Sequence, residues 1–196
     1  METLKSRKAI KAILTDQQIA LILGSLLGDG HLVKTTSGFA FRVNHGLKQK
    51  AYVDWKYEIL KNTTNSKPRE SSKKCYYFRT VSHPIFLQLR KKFYKGRRKI
   101  VPKELLKRIL TPFILAVWIM DDGSRDGNQL RINSQCFSEK ENIVLQKILY
   151  TKLGIKTTLN RDKNMYRLRI KDESMRKLKN SVSKYFIPSM RYKLSL

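Results

Sequence analysis

The chain has 196 residues and is 41% hydrophobic, enough for one domain or two small halves with a substantial core, which excludes disorder as a description of the whole. Its 42 Lys and Arg against 15 Asp and Glu give a formal net charge of +27, a self-repulsion that a bound polyanion relieves, so nucleic acid is the expected partner. No run approaches the roughly 18 consecutive apolar residues of a spanning helix, and no membrane association is expected.

The amino-terminal stretch METLKSRKAIKAILTDQQ lacks the apolar core and small-residue cleavage site of a secretory signal, which points to an intracellular protein. In ILGSLLGDGHL, residues Ile22 to Leu32, an apolar run stops at Gly-Asp-Gly and reads as a buried helix with Asp29 at its tail. A helix carries partial negative charge at its C-terminus, so a carboxylate there costs about 0.3–1 kcal/mol unless something positive compensates. A divalent cation would compensate. The following Gly30 can take the left-handed conformation that ends a helix and leaves backbone carbonyls free to turn toward a ligand. HLVKTTSGFAFRVNH then reads as a hairpin around Ser37-Gly38, KQKAYVDWKYEILKN as an amphipathic helix and KPRESSKKCYYFRTV as a second hairpin. A basic helix ending near Tyr94 follows.

The same succession then begins again. LAVWIMDDGS, Leu115 to Ser124, places Asp122 at an offset of 93 residues from Asp29 (122 − 29), with Gly123 where Gly30 stood. GSRDGNQLRINSQ has Asp126-Gly127 before its strand, and SEKENIVLQKILYTKL opens with Ser138 and Glu141 in capping-box spacing. IKTTLNRDKNMYRLRIK supplies the second hairpin, and a basic helix ends near Phe186. The expected fold is α+β, a pseudo-twofold duplication of an αββαββα unit in which residues 1–100 and 101–196 are the halves. Each half offers a four-stranded antiparallel sheet, and the two apolar helices are expected to pack together at the centre. Gly24, Ser25 and Gly28 suit a close approach on the first helix; Ala116 is the small residue of the second.

Strand alternation separates a packing face from a polar one. Leu130 and Ile132 oppose Arg131, Asn133 and Gln135; Tyr166, Leu168 and Ile170 oppose Arg167, Arg169 and Lys171. In the first half Phe39, Phe41 and Val43 oppose Arg42 and Asn44, and Arg79 holds a comparable place in YYFRTV. Any antiparallel sheet has a solvated face. Arg and Asn repeated over four strands are, however, the residue types that make bidentate contacts to guanine and adenine edges in the major groove, and these nine polar residues are the expected DNA-contacting set. Cys75 and Cys136 form no Cys-x-x-Cys pair, and His31, His45 and His83 share no metal-ligand spacing. That argues against a thiolate zinc site, a disulfide framework and histidine-rich nuclease chemistry.

With these residues in place, the chain resembles a two-motif LAGLIDADG homing endonuclease of the single-chain, intron-encoded branch. ILGSLLGDG and LAVWIMDDG stand as its two motif copies, with the essential eighth-position acid at Asp29 and Asp122. The sixth position, acidic in the family's name, is Leu27 and Met120 here. The resemblance implies a DNA-binding saddle made by the two sheets and metal-dependent cleavage of both strands of a long, asymmetric double-stranded DNA target by a monomer that needs no protein partner. It implies Mg²⁺, with Mn²⁺ as a substitute, held by Asp29 and Asp122 and by the backbone carbonyls of Gly28 and Asp121. RRKIVPKELL and YFIPSMRYKL resemble the segments that supply a lysine near each active site, at Lys99 and Lys193, whose offset of 94 (193 − 99) is close to that of the acids. Gln135 and Asn44 are read either as part of a water network or as base contacts. The alternatives are an RNA maturase that assists intron splicing and a DNA-binding regulator of the same fold without catalysis. Abundant Lys, Ile and Asn suit an AT-rich genome, whether of an organelle (mitochondrion or chloroplast) or of a microbe with the protein in its cytoplasm.

Overall fold

The first helix begins at a capping box: the Thr15 hydroxyl accepts from the Gln18 N–H at 3.3 Å, and Gln18 Oε1 accepts from the Thr15 N–H at 3.1 Å. In the computed structural model, which describes residues 13–72 and 74–194, the chain forms two units that part between Lys91 and Lys92. The stretch read for a secretory signal lies, through residue 12, outside the described residues.

The first unit runs α1 (Asp16–Leu27), β1 (His31–Thr35), β2 (Gly38–Gly46), α2 (Lys50–Leu60), β3 (Arg69–Glu70), β4 (Cys75–Arg79) and α3 (Pro84–Phe93), the last straddling the division. Its sheet is antiparallel in the order β1-β2-β4-β3. Phe41, Val43 and Phe78 on the packing face are buried, as are Leu21, Ile22 and Leu26 of α1 and Tyr52, Val53 and Leu60 of α2. Burying such side chains stabilises by about 1.5–3 kcal/mol each. Gln18, also buried, donates from Nε2 to Ile59 O at 2.7 Å and to Asn62 Oδ1 at 2.6 Å, tying the start of α1 to the end of α2.

The second unit opens with a small hairpin, β5 (Tyr94–Lys95) and β6 (Arg98–Lys99), and a short helix, α4 (Lys103–Ile109). Then come α5 (Pro112–Asp122), β7 (Gly123–Asp126), β8 (Gln129–Ile132), α6 (Glu139–Leu153), β9 (Thr157–Asp162), β10 (Met165–Ile170) and α7 (Asp172–Val182), followed by 3₁₀ turns at Ser183–Tyr185 and Pro188–Leu194. The sheet order β7-β8-β10-β9 repeats that of the first unit. Ser138 and Glu141 close the expected capping box on α6, and at the start of α5 Thr111 Oγ1 accepts from the Ile114 N–H at 3.3 Å. No helix among the described residues is long and apolar enough to cross a membrane.

The duplicated αββαββα succession is therefore present, with the small hairpin and α4 added to the second copy. The helix-ending conformation open to glycine is not used at the two acids. Neither Gly30 nor Gly123 takes the left-handed conformation, which among the described glycines belongs to Gly38, Gly96, Gly127 and Gly154. Gly123 has φ −69° and ψ 140° and leads directly into β7. The reason for glycine is space: a Cβ at Gly123 would lie 2.5 Å from Ile119 O, and one at Gly30 would lie 2.8 Å from both Phe41 and the Ser25 Cβ.

Candidate active site and nucleic-acid surface

In the first unit α1 ends at Leu27, and the Gly28 N–H turns back to Gly24 O at 3.3 Å and Ser25 O at 3.1 Å. This leaves Asp29 just beyond the helix with its side chain 49% exposed. His45 Nδ1, on buried β2, stands 3.6 Å from Asp29 Oδ2, and the His45 ring lies against Tyr52 with centroids 5.3 Å apart. In the sequence His45 stands alone, sharing no metal-ligand spacing with the other histidines. Only the fold of β2 across α1 brings it to the acid, so no local spacing signal marked it.

In the second unit Asp122 is the last residue of α5, and its carbonyl accepts from the Asn133 N–H at 2.9 Å. Lys193, 6% exposed, donates from Nζ to Met120 O at 2.5 Å and to Asp121 O at 2.7 Å. Its ammonium thus satisfies carbonyls that a helix end leaves without intrahelical donors, and it supplies the positive charge that the dipole favours there. Lys99 lies on β6, between two residues fastened to one carboxylate: Arg98 Nη1 donates to Glu141 Oε2 at 2.7 Å and the Val101 N–H to Glu141 Oε1 at 3.3 Å. Burial alone would raise the Glu141 carboxyl, but the hydrogen bonds from Arg98, Ser138 and Val101 outweigh it and hold the pKa below the ordinary glutamate value. Lys99 and Asp122 both act on Cys136. Although Cys136 reaches the surface, the protein atoms crowded round its thiol desolvate it and push the pKa up to about 11, with Lys99 opposing the shift and Asp122 adding to it.

Of the nine residues expected on the polar sheet faces, Arg42, Asn44, Arg79, Arg131, Arg167 and Arg169 lie on strands, while Asn133, Gln135 and Lys171 lie beyond strand ends. Arg42 pairs across the strands with Arg79, and Asn44 with Tyr77. The Arg42 guanidinium lies over the Tyr77 ring at 4.6 Å and that of Arg69 at 5.3 Å, while Arg69 Nε donates to the Tyr77 hydroxyl at 2.7 Å. A cleft of about 240 Å³ opens beside them, lined by Arg42, Lys67, Arg69, Tyr77 and Arg79 and by no acidic residue among those described. Arg69, Lys67 and Tyr77 were not singled out from the sequence; the alternation of CYYFRTV carried Tyr77 to the polar face and was the available signal.

In the second sheet Arg131 and Arg169 are cross-strand partners and both meet Asp126. Arg167 Nη1 is 3.7 Å from Asp162 Oδ2 and 3.4 Å from Asn133 Oδ1, and Gln135 Nε2 donates to Asp162 Oδ2 at 2.8 Å. Asn133 and Gln135 lie just beyond β8, and exposed Lys171 leaves β10 to become the N-cap residue of α7.

In each unit a carboxylate stands beside a backbone carbonyl, Asp29 with Gly28 and Asp122 with Asp121, hard oxygen donors of the kind Mg²⁺ and Mn²⁺ take, the Asp121 carbonyl also accepting from Lys193 Nζ at 2.7 Å. The Asp29 carboxyl is partly open to solvent, as an ion-binding group must be. The donor chemistry fits such a cation.

The family model of the LAGLIDADG DNA endonuclease family matches residues 19–178. The DNA endonuclease I-ChuI of Chlamydomonas applanata is 32% identical over 210 residues, covering 93% of this chain and 96% of that protein. The cytochrome b mRNA maturase bI2 of Saccharomyces cerevisiae is 31% identical over 200 residues, covering 90% of this chain but 47% of the maturase, so the chain spans about half the length of that relative. Among solved structures, the homing endonuclease I-WcaI bound to its DNA recognition sequence superposes with a TM-score of 0.88 at 25% identity, over 99% of this chain and 92% of that one.

Proposed function

The chain belongs to the LAGLIDADG DNA endonuclease family, and on that premise we propose that it is a site-specific homing endonuclease that cuts both strands of a long, asymmetric DNA target. The observation that supports this most is the duplicated arrangement of an acid at the end of an apolar helix beside a four-stranded sheet with a cationic face. A protein that only bound DNA would have no chemical need for Asp29 and Asp122. The two halves, expected as residues 1–100 and 101–196, are assigned to the two half-sites, with the hairpin that carries Lys99 going with the second unit, and one chain serves one duplex.

The reaction is hydrolysis: water attacks phosphorus, a sugar oxygen leaves, and no enzyme intermediate forms. Asp29 with the carbonyl of Gly28 in the first unit, and Asp122 with the carbonyl of Asp121 in the second, would hold Mg²⁺ or Mn²⁺, which when bound neutralises charge at the scissile phosphate and lowers the pKa of the attacking water. Lys99, fixed between the two anchors on Glu141, presents an ammonium to the charge that develops on the phosphate. Lys193 acts first on its own chain, holding the carbonyl end of α5 that places Asp122. His45 orients the Asp29 carboxylate from its buried side. Arg42, Asn44, Arg79, Arg131, Asn133, Gln135, Arg167, Arg169 and Lys171 face DNA, the arginines and asparagines toward base edges.

The test is selection of cleaved duplexes from a randomised library. Linear double-strand products in Mg²⁺, absent with EDTA, are expected; binding without cleavage in any divalent cation would leave a regulator. The maturase likeness supports a second reading, assistance to intron splicing. Splicing of the host intron RNA by a variant lacking both acids would favour it. Relatives that include a yeast maturase and an endonuclease of Chlamydomonas applanata support an organellar or microbial setting.

A further inference from the structure

Only 15 of the 196 residues are acidic, yet Asp126 and Asp162 both sit on the polar side of the second sheet among its arginines. A carboxylate on a surface that meets a polyanion weakens binding to every DNA sequence, so its placement there calls for a reason. At Asp126 the geometry supplies one. Arg131 and Arg169 stand directly opposite each other on β8 and β10, a like-charge pair that repels. Asp126, two positions along β7 from the residue paired with Arg131, reaches back to both: Arg131 Nε donates to Oδ2 at 2.6 Å and Arg131 Nη2 to Oδ1, while Arg169 Nε lies 3.2 Å from Oδ2. The carboxyl is only 20% exposed between them.

The edge used matters. A guanidinium has five N–H donors, and a carboxylate taking the Nε and Nη2 edge leaves the parallel Nη1 and Nη2 donors on the adjacent edge. That free fork is the one that matches O6 and N7 of guanine. The Tyr77 arginines of the first sheet are held differently, by stacking, with no carboxylate in their cleft among the described residues.

We propose that Asp126 is a specificity-determining residue: it holds Arg131 with its outer edge presented to guanine and keeps the like-charged Arg169 beside it by an ion pair, exchanging general DNA affinity for discrimination at the bases read by the second half. The proposal rests on the reading of this sheet face as the DNA surface. Asp126 acts through the arginines and is a positioning residue.

Base preferences are measured by selection of bound duplexes from a randomised library in Ca²⁺, at fixed salt, for the full-length wild type and for Asp126→Asn, Asp126→Glu and Arg131→Ala. Thermal unfolding of each variant accompanies the selections. Asp126→Asn should lose about tenfold of guanine discrimination at one or two positions, the positions that Arg131→Ala also relaxes. Its affinity for unrelated duplex should rise, since a negative charge is removed. Asp126→Glu keeps the charge but shifts the carboxylate, and should lose the discrimination with general affinity unchanged. A merely structural role predicts the opposite sign, equal weakening on all sequences along with a lower unfolding temperature, and that result overturns the proposal. Unchanged preferences in Asp126→Asn beside relaxed ones in Arg131→Ala also overturn it while leaving the sheet as reader. Unchanged preferences in Arg131→Ala itself would instead remove this face from base reading.

Discussion

Lys193 carries two demands on one side chain. It is buried and donates to two carbonyls at the end of α5, so its removal strands both acceptors as well as any charge it brings to the reaction. Lys193→Met should lower stability by about 1.5–3 kcal/mol, the range for hydrogen bonds from a charged donor, as read from urea unfolding. An unfolding midpoint equal to the wild type would show that the ammonium does not hold the helix end. At this scale the sequence exposed what repeats. Asp29 and Asp122 stand out because each closes an apolar run with Asp-Gly, and Lys99 and Lys193 are singled out by segments that resemble those of the family, with an offset close to that of the acids. His45 was not legible, since its approach to Asp29 depends on where β2 folds and not on any spacing. The reason for the glycines was also hidden: the contacts at Gly30 with Phe41 and at Gly123 with Ile119 exist only after packing.

Among the elements, the segment carrying Lys99 is the one that local pattern concealed. Strands of two residues, Tyr94–Lys95 and Arg98–Lys99, are too short to show alternation, and the seven residues of α4 give barely two turns. Glu141 was visible as half of a capping box, yet its bonds to Arg98 and Val101 make it the anchor of that segment as well. Because its folded pKa lies below the ordinary glutamate value, the stability it contributes is fully present above that ordinary value and is lost as pH falls through the folded one. The wild type should therefore lose stability on acidification across that window more steeply than Glu141→Gln, as measured by denaturant midpoints against pH; parallel curves would remove Glu141 from the account. At the junction of α5 and β7, Gly123→Ala should destabilise by about 1–3 kcal/mol, because its methyl would meet the Ile119 carbonyl. The turn glycine Gly127, with φ +60° and open space around its Cβ position, is a useful contrast: there an alanine suffers backbone strain without a clash.

For the whole molecule, the repeated strand order and the net charge of +27 set the expectations. Two similar but unequal sheet faces in one chain should read two unequal half-sites, so sedimentation of the DNA complex should give one protein per duplex; two would contradict the proposed duplication of roles. Affinity for unrelated DNA should fall steeply with salt, with a slope near −0.9 for each phosphate contacted, whereas the preference among sequences should persist. The duplication itself was readable because both copies keep the same order of hydrophobic periods. How the arginines are held was not, since the contacts of Tyr77 with Arg42 and of Asp126 with Arg131 exist only after the strands pair. The central claim is that each copy contributes one acid to cutting, and a cleavage assay on the selected target with Asp29→Asn and Asp122→Asn tests it most directly. Each variant should bind the target as the wild type does yet make no double-strand break in Mg²⁺; wild-type linear product from either one would contradict the account.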